Sequence, residues 1–235
     1  MKILDPACGS GSFLIKAFDL LSEKVTQKEG RNQQAKFENI SNGDLEILKR
    51  KTELMIKCIY GVDLDSQAVE ITQLNLLLKL AEKRHRLPML KENIRVGNTL
   101  FEEKEYAGER AFDWTTRFKD IMNNGGFDVI VGNPPYVDIK GMPENQVDNI
   151  FKKYSTATNR INLYSVFIHR AIDLLKPKGI LGFIIPNSLL YNSSYSEIRK
   201  KILKETNILN IVRLPDKIFP ECTVETMILI LEKKI

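Results

Sequence analysis

Cysteine and histidine are scarce in this chain. Its 235 residues hold three cysteines and two histidines, and Cys8, Cys58 and Cys222 stand far apart. An odd, widely spaced set cannot build a disulfide framework, and so few histidines leave no metal-ligand spacing, so neither a zinc site nor any other metal centre is expected. A reducing cytoplasm is the expected setting. Long apolar runs are also lacking. None approaches the ~20 residues of a membrane-spanning helix. The opening Met1-Lys2-Ile3-Leu4-Asp5 reads directly into a strand, without a signal peptide's apolar stretch. There is no repeat, no low-complexity tract and no long block of one charge. Thirty-five basic residues are interleaved with thirty acidic ones for a net charge of +5. That balance permits a polyanionic partner without requiring one. The length suffices to bury roughly 70–75% of the unfolded surface in a core.

Among what is present, Asn133-Pro134-Pro135-Tyr136 is the most informative stretch. The preceding run Phe127-Asp128-Val129-Ile130-Val131-Gly132 is short, apolar and β-branched, and follows Gly125-Gly126. It reads as a buried strand of a parallel sheet. Ligands of open α/β sheets sit beyond the carboxyl ends of the strands. Two prolines there remove two backbone donors, so the segment offers acceptors, chiefly the Asn133 side-chain oxygen and the Pro134 carbonyl. Tyr136 adds a flat face. Acceptors beside a stacking surface suit a planar ring carrying an amino group. Taken alone, the four residues fit a strand-ending turn equally well.

The rest of the chain shifts that balance. A strand stub at Lys2-Ile3-Leu4 leads into Asp5-Pro6-Ala7-Cys8-Gly9-Ser10-Gly11-Ser12. An amphipathic helix then starts with Phe13, Leu14, Ala17, Phe18 and Leu21 at helical spacing. Small residues at such a junction let a ligand approach the backbone. Segment 29–43 reads as an insertion or loop, 44–57 as a helix, and Cys58–Val62 as a second strand ending in Asp63-Leu64-Asp65. Ser66 is placed to cap a helix running to about Lys83. Strand, glycine turn, helix, strand and acidic tip make the layout of a nucleoside-binding α/β half, with Asp63 accepting from ribose hydroxyls and Asp65 serving the helix dipole. Leu14 stands where a dinucleotide fingerprint needs glycine or alanine, which argues against a nicotinamide enzyme.

Further on, Ile94-Arg95-Val96 reads as a third strand ending at Gly97-Asn98. Segment 101–126 reads as a surface helix, and 137–160 as a long polar loop of the kind that often carries function. A helix over Ile161–Leu175 precedes a strand over 180–185, which meets Pro186-Asn187-Ser188. Strands near 208–212 and 226–231 close the sheet, with Phe219-Pro220 between them.

These stretches resemble the S-adenosylmethionine-dependent N6-adenine DNA methyltransferases of restriction–modification systems, in particular the methylase domain of type I and type IIG enzymes. The resemblance rests on DPACGSGSFL at 5–14, YGVDLDSQAVEITQLNL at 60–76, GGFDVIVGNPPYV at 125–137 and LLKPKGILGFIIPNSLL at 174–190. IFPECTVETMILILEK at 218–233 matches more loosely. NPPY alone is shared with methylases of protein glutamine and of RNA, whereas the other stretches narrow it to the DNA enzymes.

The resemblance implies an α/β, Rossmann-like class I methyltransferase fold: a mostly parallel seven-stranded sheet with helices on both faces and an antiparallel last strand. It implies one catalytic domain over residues 1–235, S-adenosylmethionine as cofactor, and a flipped adenine of double-stranded DNA as substrate. Asp5, Ala7, Gly9 and Gly11 would line the cofactor pocket, Asp63 would hold the ribose, and Leu64 would pack on the cofactor's adenine. Asn98 stands where the family usually has an aspartate that accepts from the cofactor's amino group. Asn133, Pro134 and Tyr136 would carry catalysis, and Phe219 would be the second aromatic against the target base. Relatives carry an upstream segment that closes over the cofactor and a downstream target-recognition domain. This chain is expected to lack both, to need such a domain or a specificity subunit, and to methylate weakly alone. Three rivals stand beside this reading: a methyltransferase of RNA or protein glutamine, a catalytically silent cofactor- or DNA-binding subunit, and a nucleotide-dependent enzyme that merely shares the α/β layout, against which Leu14 argues.

Overall fold

The computed structural model describes residues 1–33, 40–81, 87–215 and 224–235. The chain falls into two compact units, Met1–Val96 and Gly97–Ile235. Among the described residues, three strands lie in the first unit and four in the second.

In the first unit the elements are β1 (Ile3–Asp5), α1 (Ser12–Gln33), α2 (Ile40–Cys58), β2 (Ile59–Asp63), α3 (Ser66–Leu78) and β3 (Ile94–Val96). The strand order is β3-β2-β1. All pairings are parallel, from Ile3↔Ile59 to Asp5↔Gly61 and from Gly61↔Ile94 to Asp63↔Val96. β1 and β2 are buried almost throughout. That is the near-continuous apolar run expected of parallel strands covered on both faces. Both strands end on an aspartate, Asp5 and Asp63.

Helix boundaries differ from the sequence reading in two places. Segment 29–43 is helical at both ends, where α1 runs through Gln33 and α2 begins at Ile40, and its residues 34–39 lie outside the described residues. Lys, Glu, Arg and Gln are good helix formers, and no proline interrupts them. α3 ends at Leu78, short of the expected end near Lys83, which lies outside the described residues. Successive bonds from Lys79 N to Leu76 O, Leu80 N to Leu77 O and Ala81 N to Leu78 O tighten its last turn into 3₁₀ geometry. Its N-cap is Asp65, whose side chain accepts from Gln67 N at 2.9 Å.

The second unit contains α4 (Lys104–Ala107), α5 (Trp114–Arg117), α6 (Lys119–Asn123), β4 (Phe127–Gly132), α7 (Glu144–Lys153), α8 (Leu163–Leu174), β5 (Leu175–Pro186), α9 (Ser196–Glu205), β6 (Thr206–Arg213) and β7 (Thr226–Lys233). The strand order is β4-β5-β7-β6. β4 and β5 pair in parallel up to Gly132↔Phe183. β7 runs antiparallel to both β5 and β6. The antiparallel last strand is thus as the resemblance implies.

Segment 101–126 is not one surface helix. It breaks into α4, α5 and α6, with Asp113 capping α5. Four of its five aromatics turn inward. Phe101, Phe112, Trp114 and Phe118 are buried with Phe127 of β4. Phe112 and Trp114 meet edge-on at 5.0 Å, as do Phe118 and Phe127 at 5.7 Å. Each such pair contributes about 0.5–1.5 kcal/mol beyond its buried area. Trp114 Nε1 donates to Thr99 O at 3.1 Å, so the indole is satisfied as well as packed. Segment 137–160 is not a bare loop either, because α7 lies within it. Pro143 before the helix and Lys152 and Lys153 in its last turn are the start and stop signals for it. Among the described residues no helix is long and apolar enough to cross a membrane.

Candidate active site

The first cluster forms where β1 and β2 end. Asp5 Oδ1 accepts from Ala7 N at 3.1 Å, which turns the chain immediately after β1. Asp63 Oδ2 accepts from Gly9 N at 2.7 Å and its Oδ1 from Asp65 N at 2.9 Å. One carboxylate therefore ties the glycine loop of the first strand to the tip of the second. From below, Thr72 Oγ1 of α3 donates to Gly9 O at 2.7 Å. Gly11 has φ +87°, and a Cβ there would lie 2.7 Å from Thr72 Cγ2. Gly9 has φ +52°, and a Cβ there would meet nothing within 4 Å. The loop is thus clamped on its inner side and open at Gly9, a backbone cradle with room for a ligand.

Two neighbouring carboxylates dominate its electrostatics. Asp5 is only 1% exposed. Burial, with a smaller contribution from the Asp63 charge, pushes its carboxyl up to about 7 although the Ala7 N–H opposes this. Among the described residues no cation pairs with Asp5 or Asp63. The Cys8 thiol is pushed up strongly by burial and by the same two carboxylates, which makes it a poor nucleophile. Leu64 stands 54% exposed beside Asp63, an apolar surface kept in solvent. These features fit a nucleoside bearing a positively charged substituent.

The second cluster lies in the other unit, at the carboxyl end of β4. Asn133 is exposed, Pro134 buried, and Pro135 and Tyr136 half-buried. The Tyr136 hydroxyl lies 2.6 Å from Asn133 Oδ1 and 3.0 Å from Ile184 O of β5. Its ring meets Tyr164 of α8 edge-on at 6.1 Å. Tyr164 in turn contacts Tyr195 at 5.3 Å, and its hydroxyl lies 3.2 Å from Ser188 Oγ. The Asn-Pro-Pro-Tyr segment is therefore held on an aromatic bed rather than forming a free turn. Asn98 is also in this unit, half-buried, with Oδ1 accepting from Leu100 N at 3.0 Å. Its oxygen closes its own turn and keeps one lone pair for another donor. Phe219 lies outside the described residues.

His169 serves packing. It is buried, its Nδ1 lies 2.7 Å from Thr156 Oγ1, and burial lowers its pKa to about 4. Among the described residues no group of His, Cys, Asp and Glu could hold a metal ion. The sequence reading passed over Thr72 and the Ile184 carbonyl. Thr72 was legible: it falls with Val69 and Leu76 on the buried stripe of α3, where a hydroxyl needs a partner. The Ile184 carbonyl left no trace, because a backbone group has no residue type.

The family described as Eco57I restriction-modification methylase matches residues 57–219. A second description, RMKL-like, methyltransferase domain, matches residues 1–90. The type II restriction enzyme and methyltransferase RM.Eco57I of Escherichia coli is 31% identical over 99% of this chain, which spans 24% of that protein. The type I restriction enzyme MpnII methylase subunit of Mycoplasma pneumoniae is 23% identical over 98% of the chain and 35% of its own length. The chain thus spans a minor part of these relatives. In fold, it resembles a nuclease-deletion mutant of the type ISP restriction-modification enzyme LlaGI in complex with a DNA substrate mimic. The TM-score there is 0.70 at 21% identity, covering 100% of this chain and 20% of that one. The type I restriction enzyme EcoKI M protein superposes with a TM-score of 0.64 at 21% identity, over 99% of this chain and 39% of that one.

Proposed function

Because the chain belongs to the Eco57I restriction-modification methylase family, we propose that it transfers a methyl group from S-adenosylmethionine to the N6 amine of an adenine turned out of duplex DNA. The cofactor supplies an electrophilic methyl on a sulfonium centre. Gly9 and Gly11 let the backbone approach it, with Ala7 beside them. Asp63 accepts from its ribose hydroxyls while still holding Gly9 N and Asp65 N, since a carboxylate has about four acceptor sites. Asp5 faces its cationic amino-acid end, Leu64 packs on its adenine, and the spare lone pair of Asn98 accepts from its amino group.

The chemistry falls to the end of β4. An adenine amine is a weak nucleophile because its lone pair is delocalised into the ring. Asn133 Oδ1 and the Pro134 carbonyl accept its two N–H bonds, favour a more tetrahedral nitrogen and so localise that lone pair. These bonds strengthen as positive charge develops on nitrogen, so they favour the transition state over the ground state. No base is required beforehand, because the methylated ammonium loses its proton readily afterwards. Extruding the base costs a few kcal/mol, and stacking on Tyr136, with Phe219 as the second aromatic, offsets it.

The observation that carries this reading is the pair of acceptors at the end of β4, on a segment whose prolines remove the backbone donors. Duplex DNA is the proposed partner, together with a target-recognition domain or specificity subunit, which the naming of the MpnII relative as a methylase subunit supports. The test offers the protein, together with its target-recognition domain or specificity subunit, methyl-labelled cofactor with plasmid DNA, RNA or protein in separate reactions, followed by hydrolysis and identification of the product. N6-methyladenine from DNA is expected. Label in RNA or glutamine, or tight cofactor binding with no transfer to any of the three, overturns the proposal.

A further inference from the structure

The two contacts of the Tyr136 hydroxyl cannot both be ordinary donations. A phenol carries one proton, yet two oxygens lie within reach of it, Asn133 Oδ1 at 2.6 Å and Ile184 O at 3.0 Å. If the proton points at Asn133, the Ile184 carbonyl faces bare phenol lone pairs at hydrogen-bond distance. If it points at Ile184, the clash moves to Asn133. Of these two partners, the amide is the one able to relieve the conflict. The carbonyl is fixed in β5 one residue beyond the last β4–β5 pair, Gly132↔Phe183. The amide of Asn133 is exposed, and a half-turn about its last bond exchanges oxygen for nitrogen.

We propose that Tyr136 is a positioning residue that sets the orientation of the Asn133 amide. Its hydroxyl donates to Ile184 O, and its lone pair accepts from Asn133 Nδ2. Asn133 Oδ1 is thereby turned away from the phenol and left to accept from an incoming amine. The prolines take part in this arrangement. Pro134 and Pro135 have no N–H to offer the carbonyl beyond the end of the β4–β5 pairing, so a hydroxyl from four residues past β4 reaches it instead. The edge-on contact with Tyr164 at 6.1 Å restrains the ring that carries this hydroxyl. The same side chain thus does two jobs: its face meets the base, and its hydroxyl orients the amide.

This inference rests on the proposed function for its consequence but not for its geometry, and two experiments separate them. Neutron diffraction from deuterium-exchanged crystals of the chain locates the hydroxyl deuteron and distinguishes the ends of the amide. The expected density has deuterium between Tyr136 and Ile184 O and the ND₂ group of Asn133 towards the phenol oxygen. Deuterium between Tyr136 and Asn133, with the ND₂ group turned away, overturns the inference whatever the enzyme does. The kinetic test is Tyr136→Phe, which keeps the stacking face. One lost orienting hydrogen bond predicts about a fivefold fall in kcat, with cofactor affinity and the KM for DNA unchanged. In an Asn133→Asp background both oxygens accept, orientation ceases to matter, and the same change should cost less than twofold. An equal penalty in both backgrounds rejects the positioning role. A neutron result as expected, in a protein that methylates nothing, leaves the inference standing and removes the proposed function instead.

Discussion

The loop after β1 and the segment after β4 both sit at the carboxyl ends of parallel strands, yet they are built in opposite ways. In the first, the acidic groups are held before any ligand arrives. Asp5 is buried, and Asp63 is bound by two backbone N–H groups, one of them on the loop it secures. In the second, donors have been removed and the key amide is exposed, steadied chiefly by one tyrosine. A region whose groups are already satisfied and clamped suits tight, static binding. A region with spare acceptors suits charge that appears only during reaction. Substitutions should therefore act on affinity in the first and on turnover in the second.

Asn133→Ala should break the comparison most visibly. Removing one preorganised acceptor of developing charge is expected to lower kcat by about 10²–10³-fold. Cofactor affinity, measured by calorimetry on the same variant, should not change. Parallel losses of affinity and turnover would mean that the two regions are not functionally distinct.

Asp63→Ala is the complementary case. A hydrogen bond to a charged acceptor contributes about 1.5–3 kcal/mol, which predicts a ten- to hundredfold loss of cofactor affinity. Because Asp63 also holds Gly9 N, the upper end is expected, with the loop itself loosened. Asp63→Asn keeps one acceptor oxygen and should fall between the variant and the parent. A folded Asp63→Ala protein with full affinity removes the residue from the site.

The places of these residues at strand ends were legible in the sequence for a physical reason. Short apolar runs leading to Asp5, Asp63 and, just past β4, Asn133 give strand ends directly, and strand ends locate ligands in parallel sheets. The seven-strand layout with β7 reversed followed from the family resemblance and matches the strand pairings. What misled was polarity. Segments 101–126 and 137–160 are rich in charge, yet their few apolar side chains pack inward: Phe112 and Trp114 in the first, and Ile150 and Tyr154 in the second. A polar stretch with one apolar residue per helical turn still supplies a core face, and composition averages that signal away. Helix caps were similarly off by one. Ser66 follows the true cap, Asp65, because both residue types can accept from the first turn and only the backbone angles decide.

The Asp5 carboxyl sharpens the comparison through pH. Its pKa is raised to about 7, principally by burial. Above that value it is ionised and can meet a cation, whereas below it the proton competes with the cofactor. Affinity should be level above pH 7 and fall by up to about tenfold per unit as pH drops below it, as for any single-proton competition. Titration calorimetry from pH 5 to 8 gives the slope. Asp5→Asn should bind more weakly at pH 8 and lose the slope. A slope that survives in that variant assigns the proton to another group.

The smallest expected effect separates two carboxylates that lie two residues apart. Asp65 caps α3 by accepting from Gln67 N at 2.9 Å, and it is exposed. Losing an N-cap costs typically about 1 kcal/mol of stability. Asp65→Ala should therefore shift the denaturation midpoint by roughly that amount. Cofactor affinity should stay within about twofold, because the bond from residue 65 to Asp63 Oδ1 uses the backbone N–H, which alanine retains. The hydroxyl that holds Gly9 O also lies two turns further along, at Thr72, beyond the reach of fraying at the first turn. If Asp65→Ala lost affinity as severely as Asp63→Ala, the tip of β2 would act as one acidic unit. The assignment of binding to Asp63 and of helix capping to Asp65 would then have to be given up.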